Sequence, residues 1–254
     1  MRGVGLTRVA GLRREGRPYP GPPYTFRMNE PVRLAKLAVR KAKPAAKPRA
    51  RTNDPARTMA GILEVAYAEF SEKGLAGARI DEIAAATRTS KRMIYYYFGS
   101  KEGLYLAVLE ESYRRMRGIE SEQHLADLAP EQALRRLVEF TFDHHHGNPG
   151  YIRLVMSENM NRGQYLAQSR IIQELNVPAI QAIRQLYQRG VASGEFRAGL
   201  DAIDIHASIS ALTFFNVSNQ HTFGLIFKRD MQAAKGLAAR RRSIVEMVVR
   251  FMRK

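Results

Sequence analysis

The chain has 254 residues, enough for one large or two modest domains, and 45% of them are hydrophobic, enough for a real core. It carries 41 Lys and Arg against 24 Asp and Glu, a formal net charge of +17, which favours a polyanionic partner. There is no cysteine, which excludes disulfides and cysteine-based zinc sites and fits a cytoplasmic location.

The charge is uneven: residues 1–56 hold 14 Lys and Arg against 3 acids, most of the excess. Residues 1–53 lack sustained apolar periodicity, and PYPGPPY at 18–24 and KAKPAAKPRAR at 41–51 repeat helix breakers. The segment reads as a disordered basic extension, without an apolar run of signal-peptide type. Three readings of it stand side by side: a solvated linker, a basic arm that adds phosphate contacts or reaches the minor groove, and a misassigned start with translation beginning at Met28.

The first ordered helix is predicted over residues 54–73, with Asp54 as cap and Pro55 in the first turn. Its apolar face is Met59, Ile62, Leu63, Ala66 and Phe70, and the glycines at 74 and 77 end it. Residues 80–101, IDEIAAATRTSKRMIYYYFGSK, read as two short helices joined by a tight turn, then the start of a third. Ile80, Ile83 and Ala84 share one face, and Asp81 and Glu82 suit the positive end of the first helix. Ser90 caps the second helix, where Met93, Ile94 and Tyr97 have inward spacing and Lys91, Arg92, Tyr95 and Tyr96 outward spacing. Two cations in a first turn oppose the helix dipole, a cost that a bound phosphate or guanine would offset. Tyrosine hydroxyls reach phosphates or base edges while their rings stay packed. Ser100 caps the next helix and leaves Lys101 where another phosphate could sit. The bland alternative is a packed helical hairpin with a solvated basic face.

With IDEIAAA followed by SKRMIYYYFGSKEGLY at 90–105, behind a helix carrying Met59, Ile62, Leu63, Ala66, Tyr67, Phe70 and Gly74, the chain resembles the TetR family of bacterial transcriptional regulators. The resemblance implies that Lys91, Arg92, Met93, Tyr95, Tyr96, Tyr97 and Lys101 lie toward double-stranded operator DNA, with Phe98 in the core; Ser90 and Arg88 join the DNA-binding candidates from their own place beside that helix. Two departures stand out: Arg79 replaces the usual Ser or Thr cap, and Arg88 the usual turn glycine. A left-handed Arg88 would cost about 1 kcal/mol, and its side chain would be free to add a phosphate contact.

Beyond the motif a fourth helix is predicted over 101–117, with Leu104, Ala107 and Val108 inward. The resemblance makes it the link through which a second domain moves the DNA-reading one. Further helices are expected over 130–146, 150–161, 163–175, 178–193, 201–225 and 236–253, with a break at 147–150 and a loop at 193–199. No period-two run and no internal repeat is present, so the fold class is all-α. The domains expected are the extension 1–53, a helix-turn-helix domain 54–114 and a helical ligand-binding and dimerisation domain 115–254.

Residues 205–227 hold no charge but too many Ser, Thr, Asn, Gln and His for a lipid-facing span, so no membrane segment is expected. The family resemblance implies a homodimer joined by the last two long helices, and a small-molecule effector. Candidates for the effector site are Phe140, Tyr151, Phe214, Phe215 and Asn219, with Phe142, Tyr165 and His221 beside them; aromatics at this spacing also suit plain core. The stretch 148–197 loosely resembles the subgroup containing a pyrimidine-sensing regulator. His144, His145 and His146 are consecutive and cannot all face one metal from a helix, so they are read as a helix terminus. No metal site, cofactor or catalytic constellation is expected, and hence no enzyme. The expectation is a ligand-responsive repressor; its rivals are a nonspecific basic DNA-binding protein without an effector and a helical enzyme using the histidine run.

Overall fold

The computed structural model describes residues 54–254, and the basic extension, with its three readings, lies outside them. The described residues form an all-helical chain. Asp54 opens α1 (Pro55–Gly77) by accepting the Ala56 and Arg57 N–H groups at 3.0 and 3.2 Å, and Pro55 occupies the first turn. Gly74, at φ +66°, kinks that helix near its end. Then come α2 (Ile80–Thr87), α3 (Lys91–Phe98) and α4 (Lys101–Ser121). Ser90 Oγ accepts the Met93 N–H at 3.2 Å and Ser100 Oγ the Gly103 N–H at 3.0 Å, so both expected caps form.

The second half holds α5 (Pro130–Gly147), α6 (Pro149–Met160), α7 (Arg170–Ala192), α8 (Ala202–Ser218), α9 (Gln220–Ile226) and α10 (Ala234–Met252). One core gathers Ile62, Phe70, Ile83, Ile94, Leu104, Tyr105 and Leu109 and also takes in Leu154 of α6 and Ile172 of α7. The other joins Leu134, Leu137 and Phe142 to Ile183, Leu186, Ile205, Ile244 and Val248. Residues 114 and 115 lie inside α4, whose buried Leu104, Tyr105, Val108 and Leu109 belong to the first core. At Gly150 a Cβ would stand 2.7 Å from the Tyr67 hydroxyl, which lets the start of α6 press onto α1.

Three expectations change. Residues 163–169 are not the start of a helix: they form a loop with a 3-10 turn at Leu166–Gln168. Buried Glu158 holds that loop by accepting the Tyr165 and Leu166 N–H groups at 2.8 and 3.0 Å. Then α7 runs unbroken through Pro178, because Ser169 caps it and packing against α4, α5 and α8 outweighs one missing backbone bond. The long uncharged helix is broken at Asn219, whose amide bonds Ser218 Oγ at 2.8 Å; consecutive short polar side chains compete with the helix ladder there. No helix among the described residues is long and apolar enough to cross a membrane. The only pairing outside helices among these residues is an isolated bridge between Phe196 and Arg253.

Candidate nucleic-acid interface and interior cavity

Helix α3 is anchored by Ile94, which is fully buried, with Met93, Tyr97 and Phe98 half-buried around it. Ser90, Lys91, Arg92, Tyr95 and Tyr96 are exposed, Tyr96 most of all at 77%. The Tyr96 and Tyr97 rings meet edge to face at 5.3 Å, which limits how far Tyr96 swings. Lys91 is paired with Asp81 of α2, whereas Arg92 has no ion pair among the described residues. Lys101 is half-buried and its ammonium reaches the Ala76 carbonyl at 3.4 Å.

Both departures in the motif have a local account. Arg79 supplies no capping side chain; instead Glu69 Oε1 accepts the Arg79 backbone N–H at 3.1 Å. Glu69 also pairs with Lys73 at 2.9 Å, and Lys73 with Glu82, so α1 closes the start of α2 from outside. Arg88 is left-handed at φ +52° and exposed, while its N–H still bonds the Ala85 carbonyl at 3.2 Å. That cap was not legible in sequence, since its carboxylate lies ten residues upstream.

The five candidate effector residues do not share one cavity. Phe140 lies 5.7 Å from His144, His144 lies 5.8 Å from Tyr151, and His145 lies 6.1 Å from Phe214. Phe215 is 40% exposed and packs on Phe223 at 5.6 Å, and Asn219 sits at the α8–α9 break. Phe142 is plain core, Tyr165 packs on Tyr105 at 5.4 Å, and His221 is exposed.

The histidine run forms the last turn of α5, as expected, but one of its rings turns inward. His145 is buried, and its Nδ1 lies 3.0 Å from Thr213 Oγ1. Burial first, then the neighbouring His144, His206 and Arg117, pull its pKa down to about 4, so it is neutral at pH 7. His144 and His206 are pulled down by the same burial. Burial pushes the Tyr113 and Tyr151 hydroxyls up. No three His, Cys, Asp or Glu form a metal-ligating group among the described residues.

A cavity of about 400 Å³ lies between the end of α4, the 3-10 turn Leu125–Asp127, α5 and α7. Leu125, Leu137, Leu175, Pro178 and Ile183 line it, with Arg117 and Glu120 at one side. These two are paired, and their side chains are only 11% and 10% exposed. Sequence reading missed them. The available signal was Glu120, which continues the buried series Leu109, Ser112, Met116 along α4.

Residues 62–108 match the model described as bacterial regulatory proteins, tetR family, and residues 130–248 match the tetracyclin repressor-like C-terminal domain. The HTH-type transcriptional repressor NicS of Pseudomonas putida is 33% identical over 198 residues, which cover 78% of this chain and 93% of NicS. The chain belongs to the TetR family. This TetR-family regulator also matches RutR of Escherichia coli, at 46% identity over 50 residues, 20% of this chain and 24% of RutR. A solved transcriptional regulator from Streptomyces coelicolor superposes with a TM-score of 0.58 at 26% identity, covering 77% of this chain and 98% of that one. As in the family, the chain is a DNA-binding transcriptional regulator, with a helix-turn-helix ahead of a helical C-terminal part.

Proposed function

We propose that this regulator is a ligand-responsive repressor that binds a near-palindromic operator as a homodimer in the cytoplasm. The observation that carries the reading is α4. One end packs behind α3, which presents Arg92, Tyr95 and Tyr96 to solvent, and the other carries Arg117 and Glu120 at the cavity. A ligand that shifts the cavity end of a stiff helix changes where α3 sits, so occupancy and DNA affinity are linked. This arrangement supports a division into a DNA-binding part, 54–114, and a ligand-binding part, 115–254. Ser90, Lys91, Arg92, Tyr95 and Tyr96 act as the DNA-facing set, with Arg88 adding a phosphate contact. Met93 and Tyr97 support the helix against the groove, and Lys101 turns from the Ala76 carbonyl to a phosphate.

A second copy fits α8 and α10, where Ile203 and Phe215 of the one and Met247 and Phe251 of the other are all at least 40% exposed. In such a dimer two α3 helices enter major grooves about 34–36 Å apart or at a related spacing. Repression as the sign of regulation is supported by the names of the relatives, NicS among them.

Footprinting with purified protein on its own upstream DNA tests the whole reading. A protected, near-symmetric site, with affinity at least roughly a thousandfold above random duplex, is expected. Protection spread evenly along any duplex would favour the nonspecific alternative instead.

A further inference from the structure

Three charged side chains meet at the surface where α2 and α3 open. Asp81, in the first turn of α2, pairs with a cation from each helix start: Arg79 Nη2 stands 3.8 Å from its Oδ2, and the Lys91 ammonium pairs with its Oδ1. The Arg79, Asp81 and Lys91 side chains are 67%, 48% and 55% exposed, so the group lies open to solvent. Arg79 has no task inside the fold. Its backbone N–H is held by Glu69, its side chain caps nothing, and its guanidinium makes no hydrogen bond among the described residues. Lys91 opens α3 between exposed Ser90 and Arg92.

Two cations at the positive ends of two helices oppose the helix dipoles and each other. The Asp81 carboxylate offsets part of this and leaves the trio with one excess positive charge. Exposed pairs of this kind hold weakly in water, so the carboxylate is an exchangeable occupant. Its position demonstrates convergence: a guanidinium at the start of α2 and an ammonium at the start of α3 reach one small oxyanion. A phosphodiester is an anion of the same kind, with two free oxygens to share between an Arg fork and a Lys point charge. A DNA phosphate has an advantage that Asp81 lacks, because its neutralisation releases condensed counterions.

We propose that Arg79 and Lys91 form a clamp for one phosphate of the DNA backbone, and that Asp81 fills this clamp in the free protein. On binding, the phosphate takes the place of the Asp81 carboxylate, which turns to water. The clamp rests on α3 as the DNA-reading helix. It adds Arg79 to the DNA-facing set, from a different helix, and gives Asp81 the part of a stand-in for the phosphate. It also accounts for an arginine where a capping side chain would firm the start of α2: the position trades a cap for a phosphate contact.

The test is fluorescence anisotropy of the full-length chain on its footprinted operator and on a random duplex of equal length, across a salt series. Arg79→Ala is expected to weaken binding to both duplexes by the same factor, about tenfold, and to lower the salt slope by about 1. Its thermal midpoint should match that of the unaltered chain, because Glu69 bonds the backbone N–H and not the side chain. Arg79→Lys keeps the charge and should recover the slope. Arg79→Ser supplies the capping hydroxyl that α2 lacks, so it should melt higher than the unaltered chain while binding DNA as weakly as Arg79→Ala. A purely structural Arg79 could not give a firmer fold together with weaker binding. Unchanged affinity and slope in Arg79→Ala or Arg79→Ser overturns the clamp. A loss confined to the operator overturns it as well, since Arg79 would then read bases. Asp81→Asn empties the clamp and should raise random-duplex affinity about threefold; no change or a fall overturns the exchange. If the unaltered chain binds both duplexes alike, the operator reading falls, and the random duplex alone still decides the clamp.

Discussion

The outer face of α3 and the inner end of α4 use similar residues under opposite conditions. On α3, Arg92 is exposed and unpaired among the described residues, and Tyr96 is 77% exposed. On α4, Arg117 is 11% exposed and already bonded to Glu120 and Asn176. A cation in water keeps its charge at little cost and stays available to a phosphate. A cation withdrawn from water needs partners at once, and the geometry of those partners determines what else can bind. The first arrangement gives affinity that salt weakens; the second gives selectivity that salt hardly touches.

Matched substitutions should expose that difference. Arg117→Met leaves Glu120, whose side chain is only 10% exposed, without its counter-charge. It should cost about 4 kcal/mol of stability, read as a fall in the denaturant midpoint. A change below about 1 kcal/mol would mean that the pair is well solvated.

Acid should attack the interior and spare the surface. The unfolded chain titrates His145 near 6.5, while the folded protein holds it down to about 4. The stabilisation from keeping this ring neutral is therefore complete above pH 6.5 and is lost as pH falls from there toward 4. The loss should reach about 3 kcal/mol, and His145→Gln should flatten the curve over that window. An unchanged pH profile in the variant would assign the acid sensitivity elsewhere.

On the surface the pattern should invert. Lys91→Ala with Arg92→Ala should lower operator affinity roughly a hundredfold and reduce the salt slope by about 1 for each phosphate left unneutralised. The thermal midpoint should stay within about 2 °C, because both side chains are exposed. Fluorescence anisotropy across a salt series measures the affinity and its slope, and an unchanged affinity would remove α3 from the DNA-reading role.

Two smaller effects refine the picture around α3. Arg88→Gly relieves a left-handed backbone at φ +52° and should add about 1 kcal/mol of stability while weakening DNA binding a few-fold. A gain in stability with unchanged binding would leave Arg88 with no phosphate partner. Asp81→Asn frees Lys91 from its carboxylate. Random-duplex affinity should rise about threefold, narrowing the preference for the operator. No rise would mean that the exposed pair is already broken in solution.

The exposed face of α3 was legible because it is local. Ser90, the inward spacing of Ile94 and the outward run Lys91, Arg92, Tyr95 and Tyr96 fall within seven residues, and helical periodicity alone separates the two faces. The α1–α4 order, the caps at Asp54, Ser90 and Ser100, and the all-helical class follow from the same short-range signals. Charge and composition pointed to a polyanionic partner for the same reason: they sum over the chain without reference to its folding.

Tertiary structure decided the rest. Only folding brings Glu69 to the Arg79 N–H, carries α7 through Pro178, and buries His145 at the end of α5 so that its ring is neutral. Only folding sets Asn176 against Arg117, 59 residues away, and leaves a cavity beside them while Phe140, Phe215 and Asn219 go elsewhere. The reason is physical. Periodicity tells which face of a helix is inward, but which inward side chains meet depends on helices from distant parts of the chain packing around the same space.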